Sequence, residues 1–173
     1  DGNSLCFDLP PLKQPLRIAG FAWAKSRIKA DTPQALVSVR LTDVAPDGTS
    51  TLISFGMLNL AHREGHENPK PLRPGRFYDV AVELKPVAQI VPKGHRLRLA
   101  LSNSNWPMVW PSPELAMLTI DPACSALSLP ILPAGIRGRP ARFPKPSAAP
   151  SGPITVLQPG KQTRSRSVDI ATQ

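Results

Sequence analysis

His62 and His66 stand four residues apart in LAHREGHENP, with Glu64 and Glu67 alongside. On a helix this spacing sets two imidazoles on one face, as many zinc sites require. Gly65 interrupts the pair and Pro69 and Pro71 follow it, so the segment reads as a long polar turn whose histidines cap or hydrogen-bond loop backbone. His95, just after Gly94, opens a strand-like run and reads as a structural, partly buried histidine bonded to a neighbouring loop. Asp43 and Asp47 flank a turn, which accounts for both without a paired-carboxylate acid–base site. A serine nucleophile of the α/β type sits on a G-x-S-x-G elbow between strand and helix. No such pentapeptide occurs, and no serine neighbours a histidine in sequence. No phosphate-cradling glycine loop is present either. These residues predict no catalytic centre, no metal site and no cofactor within the chain.

The elements that would have to position any chemistry are short. Twenty-two Pro and eleven Gly disfavour long helices and favour strands joined by turns, while 41% hydrophobic residues suffice for a core. Leu16–Ala30 alternates. Leu16, Ile18, Gly20, Ala22, Ala24 and Ile28 fall on one face, and Arg17, Phe21, Trp23, Lys25, Arg27 and Lys29 on the other, which predicts one half-buried strand. Its second face sets Phe21 and Trp23 beside cations, so a second sheet, a cation–π arrangement or an absent partner must cover those rings. Ala35–Val44 turns Ala35, Val37, Val39 and Leu41 inward, and Ala45–Gly48 (APDG) is a turn. Leu52–Leu60 is apolar on both faces and reads as a central strand. Phe77–Leu84, Arg96–Leu101, Leu115–Ile120 and Leu127–Ile131 follow. About eight short strands at this spacing predict an antiparallel sandwich or barrel, an all-β fold.

Charge is uneven. The net +9 includes +6 from residues 123–173, where Arg137, Arg139, Arg142, Lys145, Lys161, Arg164 and Arg166 face only Asp169. No recognition helix or RNP-like aromatic pattern accompanies this basic tail, so it reads as a solvated extension and no nucleic-acid partner is expected. Residues 1–132 read as the folded body. Residues 133–173 read as an irregular Pro/Arg-rich extension with one or two edge strands near its end. No apolar run is long enough to span a membrane and no secretion signal opens the chain, so no membrane partner and a cytoplasmic location are expected. Such a location would keep Cys6 and Cys124 reduced, although end strands of a sandwich can neighbour one another and bring two thiols together. Because it opens on Asp1, near a strand approach, the chain reads as a fragment of something longer.

Five motifs in order carry a resemblance: RLTDVAPDG (Arg40–Gly48), GMLNLAHRE (Gly56–Glu64), LRPGRFYDVAVEL (Leu72–Leu84), PKGHRLRLALS (Pro92–Ser102) and WPMVWPSP (Trp106–Pro113). Together they resemble the C-terminal β-sandwich of the X-Pro dipeptidyl-peptidase and cocaine-esterase-like serine hydrolases, over about the first 122 residues. The resemblance implies a jelly-roll sandwich, galactose-binding-like in fold, that packs on an upstream α/β-hydrolase domain of the same polypeptide. In that family Ser, Asp and His all lie upstream, so no catalytic residue transfers to any position here. The parent enzymes cleave peptide, amide or ester bonds. The implied role is that of a non-catalytic domain that stabilises the enzyme and walls its active site.

Two of the three Trp and three Pro crowd into Ser104–Leu118. Proline preorganises a loop and indoles offer contact area at small rotamer cost. Phe21, Trp23, Trp106, Pro107, Trp110 and Pro111 are therefore the expected docking face for the hydrolase domain or another subunit, which leaves a homo-oligomer open. The competing reading is that Trp106 and Trp110 plug the end of the core. A carbohydrate-binding module, with Trp106 and Trp110 as platform and Asn103 and Asn105 as polar partners, is the alternative function.

Overall fold

Period-two alternation carries several segments of the chain into strands, as the sequence predicts. The computed structural model describes residues 2–133, 135–136 and 142–148, and beyond them 152, 153, 155, 159–161 and 165. The chain divides into two units, 1–136 and 137–173. The first holds nine strands: β1 (Leu5–Asp8), β2 (Leu16–Gly20), β3 (Trp23–Ala30), β4 (Leu36–Val44), β5 (Ser50–Asn59), β6 (Tyr78–Glu83), β7 (Val87–Val91), β8 (Arg96–Ser102) and β9 (Leu118–Ser128). A 3-10 turn, Leu60–His62, follows β5. All pairings are antiparallel, in three sheets ordered β1-β8-β4-β5, β2-β7 and β6-β3-β9. The described residues of the second unit carry no strand. The edge strands expected within 154–171 lie mostly outside the described residues.

One apolar core joins the sheets. Val37, Val39 and Leu41 of β4 and Leu97 and Leu101 of β8 meet Ile28 of β3 and Val80 and Val82 of β6. Ile18 of β2 and Val91 of β7 complete the same cluster. The strand rich in β-branched residues, β4, is central and buried on both faces. On its second face Ser38 is in register with Met57 and Ser102, and Arg40 with Phe55 and Ala100.

Three sequence expectations change here. Leu16–Ala30 is two strands in two sheets, because Gly20 adopts φ +128° and lies close against Pro130. Leu52–Leu60 lies in the edge strand β5 rather than a central one, and β4 takes the centre. Its Ser54, Phe55 and Gly56 meet Glu83 and Lys85 instead of a further sheet. Leu115–Ile120 and Leu127–Ile131 give one strand, β9, which begins at Leu118 and contains a register shift. Between the pairs Lys25↔Ala126 and Arg27↔Asp121, β9 bows out through Pro122–Ser125. Asp121 closes the bow by accepting from the Ala123 N–H (3.1 Å) and, through its carbonyl, from the Ser125 hydroxyl (2.7 Å). Sequence reading passed over β7, whose VAQIV is too short to show a period.

The four-stranded and three-stranded sheets are stitched at their β5 and β6 edges. The Lys85 N–H donates to Phe55 O (2.8 Å), and the Ser54 hydroxyl donates to Lys85 O (2.6 Å). Gly56 permits this approach, since a Cβ there would lie 2.2 Å from the carbonyl oxygen of Glu83. Backbone cannot yield as a side-chain tip can. Gly56→Ala should therefore destabilise the fold by about 1–3 kcal/mol, read as a lowered urea midpoint, whereas Gly2→Ala, with open space around it, should leave the midpoint unchanged.

Candidate functional site

The loop from β8 to β9 is held at its base by side chains acting on backbone. Asn103 Nδ2 donates to Ala116 O (2.6 Å), and the Met117 N–H donates to Asp31 Oδ1 (2.7 Å). The Ser102 hydroxyl donates to Ser104 O (2.8 Å). A turn follows in which the Met108 and Val109 N–H groups both donate to Asn105 O (2.9 and 3.1 Å). The Trp106–Pro107 peptide is cis. These ties leave the apolar side chains facing outward. Trp106 is 61% exposed, Trp110 81% and Leu115 98%, with Met108 and Met117 also exposed. The two indoles meet edge to face, centroids 5.5 Å apart and planes at 75°. The expectation that they plug the core fails, because Ala116 alone of this segment turns inward. An edge-to-face pair also makes a poor flat platform for a sugar ring.

The expected docking residues fall into two groups. Asn105 Nδ2 reaches Met57 Sδ (3.5 Å), and Met57 shares a surface hollow with Phe21, Phe55 and Lys85. Phe21, half exposed, thus sits near Met57, with the loop of Trp106, Pro107, Trp110 and Pro111 on the sulfur's other contact. Trp23 stands on the outer face of the three-stranded sheet, in register with Glu83 and Ser128. Cation–π cover was one of three readings for Phe21 and Trp23; of the cations on that face, Arg27 and Lys29 lie over Phe77 instead, at 5.7 and 5.0 Å from its centroid. Sequence reading missed Leu115 and Met117 as surface residues. Nothing in their local pattern marks them, since LAML alone reads as strand.

The titratable groups are placed structurally. His95 is partly buried, as expected, but its partner is a strand residue and not a neighbouring loop: Nδ1 lies 2.7 Å from Asp43 Oδ1 and fastens the start of β8 to the end of β4. Arg98 grips Asp8 with two bonds, Nε to Oδ1 (2.7 Å) and Nη2 to Oδ2 (2.8 Å), tying β1 to β8. Asp47 accepts from the Thr49 N–H (2.9 Å), and this bond holds its carboxyl below the ordinary aspartate value. His62 and His66 meet, Nδ1 to Nδ1 at 3.2 Å. Cys6 and Cys124 form no disulfide. An apolar hollow of about 200 Å³ opens between β1 and β9, lined by Phe7, Leu99, Ile120, Pro122 and Leu127. Its rim acid, Asp8, is already engaged by Arg98, so no acid–base pair converges there. Among the described residues no group of three His, Cys, Asp or Glu could hold a metal ion, and no helix is long and apolar enough to cross a membrane.

The family described as the X-Pro dipeptidyl-peptidase C-terminal non-catalytic domain matches residues 1–164, and the chain belongs to it. It is 29% identical over 136 residues to a putative Xaa-Pro dipeptidyl-peptidase of Rhodopirellula baltica, covering 75% of this chain and 22% of that protein. To the cocaine esterase of a Rhodococcus species it is 27% identical over 103 residues, 60% of this chain and 18% of that protein. The chain therefore spans about a fifth of the length of these curated relatives. Among solved structures, an aminopeptidase from a marine sediment thaumarchaeon superposes with TM-score 0.71 at 22% identity, over 77% of this chain and 26% of that one. An α-amino acid ester hydrolase superposes with TM-score 0.71 at 23% identity, over 76% of this chain and 26% of that one. These two likenesses show the fold.

The Asp8–Arg98 pair has a pH signature. Arg98's hydrogen bonds, ahead of its charge, hold the Asp8 carboxyl below its ordinary 3.8. The folded state favours the ionised form. The pair's contribution is thus fully present above the ordinary value and lost as pH falls through the depressed one. Urea midpoints from neutral pH down to about pH 2 should show the gap between the native chain and Asp8→Asn shrinking with acid. A gap constant across that range would contradict the pairing.

Proposed function

We propose that this chain is the C-terminal jelly-roll domain of a serine hydrolase that cleaves peptide, amide or ester bonds, and that it stabilises that enzyme and walls its active site. The observation that carries this reading is the pinned loop that displays Trp106, Met108, Trp110, Leu115 and Met117 in a chain of a non-catalytic C-terminal family. A contiguous apolar patch on a domain surface marks an interaction site, and two indoles with restricted backbone give large contact area at small entropic cost. The proposed partner is an α/β-hydrolase domain upstream in the same polypeptide, with Phe21 extending the contact beyond the loop. Trp23, on another face, suits a second contact, with that domain or with another copy of the chain. The domain division proposed from sequence, a body of residues 1–132 and an extension of 133–173, would leave all of these residues in the body. A cytoplasmic location would fit two cysteines that form no disulfide.

The test joins the chain to a hydrolase domain and compares it with the chain alone. Trp106→Ala with Trp110→Ala should leave the thermal midpoint of the isolated chain unchanged. In the joined protein it should lower that midpoint and turnover of an X-Pro anilide or p-nitrophenyl ester by roughly tenfold, equivalent to about 1.4 kcal/mol. Acrylamide should quench these indoles readily in the isolated chain and poorly once joined. A fluorophosphonate should label the joined protein and not the isolated chain. Equal quenching in both forms would exclude docking through this loop, and a serine adduct on the isolated chain would exclude the non-catalytic reading.

A further inference from the structure

We propose that His62 and His66 form a two-histidine clip for Zn²⁺ on the connection between β5 and β6. The sequence offered these residues as a helical pair and then denied them a helix through Gly65, Pro69 and Pro71. The structure brings them together by a different route. The 3-10 turn ends at His62, the Gly65 N–H donates to His62 O (3.0 Å), and Gly65 at φ +138° reverses the chain so that His66 returns over His62. The two Nδ1 atoms lie 3.2 Å apart and the ring planes are inclined by 40°.

That separation is a metal bite as much as a hydrogen bond. Two Zn–N bonds of about 2.05 Å spanning it subtend about 103°, close to the tetrahedral angle that zinc adopts. Square-planar Cu²⁺ or Ni²⁺ asks for about 90°, a shorter separation. In the present pair one Nδ1 donates a proton and the other accepts it. Zinc would take the place of that shared proton, with both rings as Nε2–H tautomers. The donor ring changes tautomer through solvent, and neutral rings release no net proton.

The frame of the clip is built before any ion arrives. Asn59 Oδ1 accepts from the Ala61 N–H (3.0 Å) and caps the turn. The buried Arg63 side chain donates through Nη1 to Leu60 O (3.1 Å) and Lys70 O (2.6 Å), and its guanidinium lies 4.3 Å from the Tyr78 ring centroid. Both ends of the segment are thereby fixed, which lowers the ordering cost of binding. Glu64 pairs with both Lys70 and Arg63 and so offsets one of their two positive charges. No third protein ligand completes the cluster among the described residues. Water takes the remaining positions, as the open position of catalytic zinc sites does, and the affinity is correspondingly modest.

The inference stands apart from the proposed function and is tested on the 173-residue chain alone. Zn²⁺ is titrated by calorimetry, Co²⁺ absorption reports coordination geometry, and long-range ¹H–¹⁵N correlation of the imidazoles reports which nitrogens bind. One ion per chain is expected, with tetrahedral Co²⁺ bands and the large ¹⁵N shift at Nδ1 of both rings. His62→Gln and His66→Gln should each weaken binding at least tenfold, while Cys6→Ser with Cys124→Ser and His95→Gln leave it unchanged. Far-UV dichroism confirms that each variant is folded. Binding that survives both histidine variants, or disappears with the cysteines, would overturn the site, as would the absence of any Nδ1 shift in the native chain at saturating Zn²⁺.

Discussion

The seating of β4 between β5 and β8 constrains everything else in the body. A strand buried on both faces cannot slip by one residue without exchanging its Val37–Val39–Leu41 face for its Ser38–Arg40–Thr42 face. That exchange would put a guanidinium in the core and three branched apolar side chains under Phe55 and Met57. The register of β4 therefore fixes β5 and β8, and through them β1. It also fixes where the β8–β9 loop emerges, since Ser102, the last residue of β8, is in register with Ser38. The displayed aromatic loop is one consequence of this locked strand, and the bond between Asn105 and Met57 is another.

A second constraint closes the body at one edge and leaves it looser at the other. At β5 and β6 the backbones come within reach of each other because Gly56 has no side chain. On the opposite side, β1 and β9 belong to different sheets and leave an apolar hollow between them. The tight edge carries Phe21 and Met57, so the residues proposed to meet a partner stand beside the stiffest junction. A docking surface gains from such placement, since little further ordering is needed when a partner arrives.

The strands were legible where alternation was strict. In Leu16–Ala30 the even-numbered residues are the buried ones, as the pattern required, and only the break at Gly20 escaped notice. A glycine on the apolar face fits the alternation as well as any small residue, and its positive φ has no sequence signature of its own. Leu52–Leu60 was misplaced because two apolar faces signal burial without saying what does the burying. For the aromatic loop, exposure on a docking face and burial as a plug were both open readings. Trp is a core residue by habit, and whether it turns in or out depends here on Asn103 and Asp31, which hold the loop base from distant positions. The absence of an elbow serine was plain from the sequence, and the meeting of His62 with His66 was not, because it depends on one left-handed glycine.

The bow in β9 bears on how molecules of this kind stay apart. An exposed edge strand offers a row of free N–H and C=O groups on which another chain can add a strand, the first step towards fibrous association. In β9 that row is interrupted at its middle: Pro122 has no N–H to offer, and the Ala123 N–H is already spent on Asp121. The far edge at β5 is occupied by Lys85, and β1 is only four residues long. Along β9, β5 and β1, strand-by-strand polymerisation therefore meets no long straight edge.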